Sequence, residues 1–425
     1  MSTRAPRGIA AVAALVTLAL VPGPTPHAAD GASQHTALTP AGGAAPRLWS
    51  VALAETVMER FPDYNLAYHA SWTYVHGYTL LGFDMLYRAT GDRRYYDFIR
   101  RYIDAHVDEG GRFRPVIDGR GRMRDVAFTN QDNMMTGNTL VMLYEYTRDD
   151  RYKKAATTIR RALDDYPRNS NGGLWHARSM HGQWWIDGIF MSQMFLLRYG
   201  RSIGDAEYCF EEATRQITAY ARAAEKGTSG LMVHGTFEAG HGEKAPPLWA
   251  DPKTGRSPEV WSEGLGWYAL VTVETLATLP GDHPRRVEVE AIFRRMATGL
   301  MRTQDPDTGG WFTVVDKQQQ PDNWIDSSGT AMFTYALQRG IELGLLRSDD
   351  YTPVVERAYQ ALTRLMTTGA DGLVDVHSAS DGLGVQADYR AYVDNPKRTV
   401  NAKEAVAGML WATTIVERSR LPVRR

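Results

Sequence analysis

A spacing that occurs twice limits what this chain can fold into. Leu86-Tyr87-x-x-Thr90-x-Asp92-x-x-Tyr95 is matched by Leu143-Tyr144-x-x-Thr147-x-Asp149-x-x-Tyr152, and Asp205-x-x-Tyr208 repeats the end of the pattern. In each copy a mostly apolar run precedes the motif and an amphipathic run follows it. A period of roughly 55 to 60 residues made of such pairs implies stacked helical hairpins. The apolar, inner-type runs are Trp72–Thr90, Asn133–Tyr146, Trp184–Leu197, Trp261–Leu276, Ser327–Leu343 and Lys403–Ile415. The amphipathic partners are Asp92–Val107, Arg151–Tyr166, Asp205–Ala224, Pro284–Arg302 and Asp349–Thr367, with a first helix near Trp49–Arg60. Asp92–Val107 places Tyr95, Phe98, Ile99, Tyr102 and Ile103 on one face and Arg and Asp on the other, as an outer helix requires. About twelve helices in six pairs can close into an all-α double-ringed toroid, an (α/α)6 barrel, which buries the ends that an open helical repeat must cap. An open repeat is the alternative.

Composition bounds the partners. The formal net charge is -1 over 425 residues, and no long basic block precedes the tail Arg418–Arg425, so nucleic acid is not an expected partner. Arg4 and Arg7 precede the apolar run Ile9–Val21, which is the layout of a secretory signal. The expected organisation is a signal over residues 1–29, a flexible lead-in over 30–46 and one domain over 47–420. The mature protein is expected outside the cell and free of the membrane after signal cleavage, as a monomer or weak oligomer; an uncleaved membrane anchor is the alternative. Cys209 is the only cysteine, so no intrachain disulfide can form.

The stretch Met180–Leu197 carries the strongest sign of chemistry. Asp187 is its one formal charge between Gln183 and Leu197, in a run rich in Trp, Ile, Phe, Met and Leu. A helix terminus favours its carboxylate and apolar neighbours favour the neutral acid, a balance suited to proton transfer. Complementing the helix dipole is the simpler role for such a residue. Asp132 opens the preceding inner run, where it is either a second functional acid or a helix cap. Two carboxyl groups allow one to deliver a proton while the other stays ionised. Glu259, Glu263, Asp322 and Asp326 are further acids near the same end. The segments that lead into inner runs are rich in aromatic, His and acidic residues, a mixture suited to the apolar faces and hydroxyl edges of sugars. No His or Cys spacing matches a metal site and no phosphate-binding loop is present, so no cofactor is expected.

Six ordered motifs then carry a family resemblance: Trp72-x-Tyr74-x-x-Gly77, Trp175-His176, Gln183-x-Trp185-x-Asp187-Gly188-x-x-Met191, Gly230-Leu231-x-x-His234-Gly235, Trp249-Ala250-Asp251-Pro252-x-Thr254-Gly255-x-Ser257-Pro258 and Trp261-x-x-x-x-Gly266-Trp267-Tyr268. Together they resemble the unsaturated rhamnogalacturonyl hydrolases of glycoside hydrolase family 105, which are related to the unsaturated glucuronyl hydrolases of family 88. The resemblance implies an (α/α)6 barrel that removes an unsaturated uronic acid from the non-reducing end of lyase-generated oligosaccharides. It implies that Asp187 protonates the ring double bond, that Asp132 assists, and that Trp72, Tyr74, His176, His234, Trp261 and Trp267 contact the sugar. One position departs from the pattern. Where many relatives carry an Arg for the uronate, this chain has Glu263, so Arg178 becomes the candidate for the missing positive charge, or the substrate differs. A glycosidase acting on a saturated uronide or neutral sugar, a sugar epimerase and a non-catalytic sugar-binding protein are the competing readings.

Overall fold

The computed structural model describes residues 47–62, 72–117, 121–394 and 398–421. The expected signal and lead-in lie outside these residues.

The inner helices are α2 (Tyr74–Thr90), α5 (Gly137–Thr147), α7 (Ile186–Ser202), α9 (Ser262–Thr278), α11 (Ser327–Glu342) and α14 (Lys403–Glu417). The outer ones are α1 (Trp49–Arg60), α3 (Arg93–His106), α6 (Asp150–Arg161), α8 (Ala206–Ala224), α10 (Arg286–Thr303) and α12 (Ser348–Arg364). The described residues also include two shorter helices, α4 (Asp132–Met135) and α13 (Tyr389–Asp394), and a 3-10 turn at Arg418–Arg420. Each inner helix packs on the next around the ring, and α14 returns to pack on α2, so the toroid is closed and the open repeat is excluded. The expected (α/α)6 barrel is the fold.

The recurring motif has a structural meaning. Thr90 Oγ1 donates to the Leu86 carbonyl at 2.7 Å and accepts the Asp92 N–H, while the Asp92 carboxylate accepts the Arg94 N–H at the start of α3. Thr147, Asp149 and Arg151 repeat these three bonds at the start of α6. The motif therefore ends an inner helix and caps the outer helix that follows. The third copy departs: Asp205 has φ 56 and caps nothing with its side chain.

Two inner runs begin differently from the sequence reading. Residues 183–185 are a strand, β3 (Gln183–Trp185), paired antiparallel with β4 (Gly235–Phe237), so α7 starts only at Ile186. Two further antiparallel ribbons are β1 (Val116–Ile117) with β2 (Met123–Arg124) and β5 (Met366–Thr368) with β6 (Val374–Val376). The run from Asn133 is broken at Thr136, whose hydroxyl donates to the Thr73 carbonyl at 2.6 Å and accepts the Gly77 N–H. That side chain splices the start of the second inner helix onto the first.

Candidate active site

The segments entering the N-terminal ends of the inner helices form the mouth of the barrel. Around it runs a backbone ladder. Gln131 N–H donates to the His176 carbonyl (3.0 Å), His176 N–H to the Gln183 carbonyl (2.8 Å) and Ile186 N–H to the His234 carbonyl (3.0 Å). Three loops and two strands thus hold Asp132, His176, Asp187 and His234 in one register, although they are far apart in sequence.

These residues border a cavity of about 230 Å³, room for little more than one sugar ring, lined by Tyr74, Asp132, His176, Trp185, Asp187, Met191, Glu263, Trp267, Asp381–Gly384 and Lys403. Asp187 lies in the first turn of α7, as expected, and is 8% exposed. His234 Nε2 is 3.0 Å from Asp187 Oδ2, and its Nδ1 is 2.8 Å from the Tyr392 hydroxyl. That hydroxyl accepts the Gln386 N–H, and burial pushes its pKa up, so it keeps a proton to donate to Nδ1. The matching tautomer carries its proton on Nε2 and donates to Oδ2, which leaves Oδ1 for the cavity.

Asp132 opens α4 without capping it; its Oδ1 is 3.5 Å from His176 Nε2. The cap role is therefore replaced by a pairing with His176. Burial alone would lower the His176 pKa, but the neighbouring carboxylates of Asp132 and then Asp187 outweigh it and hold it above its ordinary value. The imidazole stacks on Trp185, with ring centroids 4.5 Å apart. Gly188 permits this approach: a Cβ there would meet Gln131 Nε2 at 2.6 Å and His176 Nδ1 at 3.2 Å.

Glu263 is buried at the cavity edge, and its Oε2 has no hydrogen-bond partner. Burial, then the carboxyl groups of Glu404 and Asp326, push its pKa well above the usual carboxylate range, with Ser328 opposing in part. Its charged form is therefore disfavoured relative to that of an exposed glutamate. Glu404, equally buried, is raised by the same desolvation, with Lys403 and the Tyr74 hydroxyl opposing.

Three of the expected contacts lie elsewhere. Arg178 turns away from the cavity: its guanidinium pairs with Asp165 at 2.5 Å and lies over the Tyr166 ring, so it is committed to the surface. Trp72 is core, with its indole N–H bonded to the Asn133 carbonyl and its ring against Tyr102 and Phe113. Trp261 stands behind the site, 4.6 Å from the His234 ring, and supports that imidazole. Tyr74, His176, Glu263 and Trp267 do line the cavity, and His234 reaches it through Asp187. Of the other acids, Asp326 caps α11 through the Ser328 and Gly329 N–H groups, Glu259 pairs with Lys317, and Asp322 accepts from Tyr389. Tyr392, Glu404 and the 381–384 segment were not singled out in the sequence, because nothing in their local context distinguishes them; the signal at Lys403, a cation opening an inner run, went unused. A larger cavity, about 400 Å³, opens among the C-terminal halves of the inner helices. Its arginines are engaged with acids, as Arg198 is with Asp84 and Glu145, which suits positive charge at carbonyl ends.

A closed helical toroid with two acids, each beside a histidine, in a sugar-sized cavity at its mouth has the make-up of a six-hairpin glycoside hydrolase. The model of Glycosyl Hydrolase Family 88 matches residues 49–419, and the chain belongs to that family. It is 24% identical to the unsaturated rhamnogalacturonyl hydrolase YesR of Bacillus subtilis over 374 residues, covering 86% of this chain and 96% of the relative. A family 105 glycoside hydrolase structure from C. acetobutylicum superposes with a TM-score of 0.78 at 25% identity, covering 87% of this chain and 99% of that one. The unsaturated glucuronyl hydrolase of Bacillus sp. GL1 shares the fold, with a TM-score of 0.61 at 16% identity over 87% and 95% of the two chains.

Proposed function

We propose that this glycoside hydrolase removes a 4,5-unsaturated uronic acid from the non-reducing end of lyase-generated oligosaccharides of rhamnogalacturonan type. The observation that carries the reading is the pair Asp187–His234 and Asp132–His176 bordering one cavity. Asp187 delivers a proton to C4 of the ring double bond, and water adds at C5. The product is a hemiketal whose opening expels the remaining saccharide, with atoms and charge balanced by the one water consumed. His234, fixed by Tyr392, holds the Asp187 carboxyl through Oδ2. Asp132, paired with His176, orients water or a sugar hydroxyl. Trp185 and Trp267 offer flat faces to the ring.

The test is spectroscopic. Absorbance of the conjugated double bond is expected to fall when the protein meets lyase-generated oligosaccharides. Release of saturated sugar with that absorbance unchanged would instead make the protein a glycosidase on saturated uronides or neutral sugars.

Export is part of the same proposal. The Arg4 and Arg7 layout predicts a mature N-terminus between about Ala28 and Ala45. Secreted material that retains Met1 would contradict cleavage.

A further inference from the structure

We infer that Lys403 recognises the substrate's carboxylate, taking the role that Glu263 cannot fill and that Arg178 is turned away from. The inference rests on the reading that the substrate is an unsaturated uronide. Among the described residues that line the cavity, Lys403 is the only lysine or arginine. Its partners are loose, with Asp381 Oδ1 at 3.8 Å and Glu404 Oε1 at 4.0 Å, and its side chain is 41% exposed. The ammonium is therefore available to a ligand.

Two further observations point the same way. Lys403 is the first residue of α14, where the helix terminus is already positive and a lysine is locally unfavourable. A cation kept against its own helix has a use beyond the helix. A lysine charge and the terminal N–H groups also favour the same anionic ligand. The second observation is the wall opposite. Gly382 has φ 59, and a Cβ there would lie 3.0 Å from Glu404 Oε1 and 3.3 Å from the Tyr74 hydroxyl. The 381–384 segment thus passes tightly over α14 and carries Asp381 to the Lys403 side of the cavity, where it can tether the ammonium between turnovers. Burial of Glu263 disfavours its charged form, which weakens its repulsion of a uronate.

The arrangement predicts a preference for the free acid over its ester. The experiment measures kcat and KM for an unsaturated uronyl disaccharide and for its C6 methyl ester, using wild type, Lys403→Gln and Lys403→Arg. A charge-assisted hydrogen bond is commonly worth enough to change KM by about tenfold or more. Lys403→Gln is expected to raise KM for the acid by that factor and to leave KM for the ester unchanged, with the loss in KM rather than kcat. Lys403→Arg is expected to keep the preference for the acid. Thermal unfolding should be unchanged in Lys403→Arg and no earlier than wild type in Lys403→Gln, because the two ion pairs of Lys403 are long and hold the fold only weakly while its charge is unfavourable at the helix terminus. An unchanged KM for the acid in Lys403→Gln would overturn the inference while the reaction stands. An equal rise for acid and ester would also overturn it, placing Lys403 on the leaving saccharide. No turnover of either compound by wild type would instead refute the unsaturated-uronide reading and this inference with it.

Discussion

Asp187, Glu263 and Glu404 occupy the same place, the second residue of an inner helix, yet their surroundings give them different chemistry. Asp187 has a histidine donor at 3.0 Å, whereas Glu263 has an oxygen with no partner and two other acids nearby. Asp187→Asn keeps the shape and removes the transferable proton. Turnover is expected to fall about 100-fold to 10,000-fold with the fold intact by circular dichroism, and near-normal turnover would remove Asp187 from the chemistry. Glu263→Gln should act mainly on stability. The folded state raises the Glu263 pKa above its ordinary 4.5, so the protonated form is the one the fold favours. Its contribution is complete below that ordinary value and is lost as pH rises through the folded one, at up to about 1.4 kcal/mol per pH unit. Glutamine does not titrate. The variant's melting temperature relative to wild type should therefore climb as pH rises above 4.5 and level off once the folded group has ionised, and a difference that stays constant with pH would show that the fold does not raise the Glu263 pKa. At this scale the sequence revealed acids better than aromatics or cations. A lone acid in an apolar run is costly and stands out, whereas Trp72 in the core, Trp261 behind His234 and Trp267 on the cavity read alike. Tyr392 joins His234 across 158 residues, a pairing that no local pattern encodes.

At the scale of elements, hydrophobic periodicity located the helices because an outer helix must alternate and an inner one cannot. It misplaced the start of α7, since Trp184 and Trp185 continue the apolar run while their backbone pairs with β4. The strand brings Trp185 under His176, and Gly188 one turn later lets the two loops close on the helix. Gly188→Ala sets two effects against each other. Alanine in a helix is favoured over glycine by up to about 1 kcal/mol. The added Cβ, however, would meet Gln131 Nε2 at 2.6 Å, and Gln131 is itself fixed by bonds to the Trp175 carbonyl (2.8 Å) and the Ser192 hydroxyl (2.6 Å). Overpacking of that kind costs about 1 to 3 kcal/mol, so the clash should win. The expected result is a lower melting temperature together with reduced kcat, because the displaced Gln131 adjoins His176. A more stable and fully active variant would mean that the loop yields freely.

For the whole molecule, the critical joint is where the last inner helix meets the first outer one. No side chain from its own segment caps α1. Glu417, buried at the end of α14, does so from 368 residues away, accepting the Trp49 N–H at 3.1 Å, the Ser50 N–H at 3.0 Å and the Ser50 hydroxyl at 2.5 Å. Tyr359 of α12 donates to the same carboxyl group, so one side chain ties together three helices at the seam. Hydrogen bonds to a carboxylate are each worth about 1.5 to 3 kcal/mol, but bonds that share an acceptor are not additive. Glu417→Ala is expected to cost about 2 to 4 kcal/mol in denaturant unfolding, since it leaves the buried Ser50 N–H and hydroxyl, and the part-buried Trp49 N–H and Tyr359 hydroxyl, without that acceptor. Glu417→Gln keeps one acceptor oxygen and should cost less. The cavity lies at the other ends of these helices, so the part of either variant that remains folded should keep its KM. A loss of stability confined to α1 would appear as an early, separate phase of hydrogen exchange over residues 49–60. A single global transition at lower denaturant would show instead that closing the ring stabilises all six hairpins together.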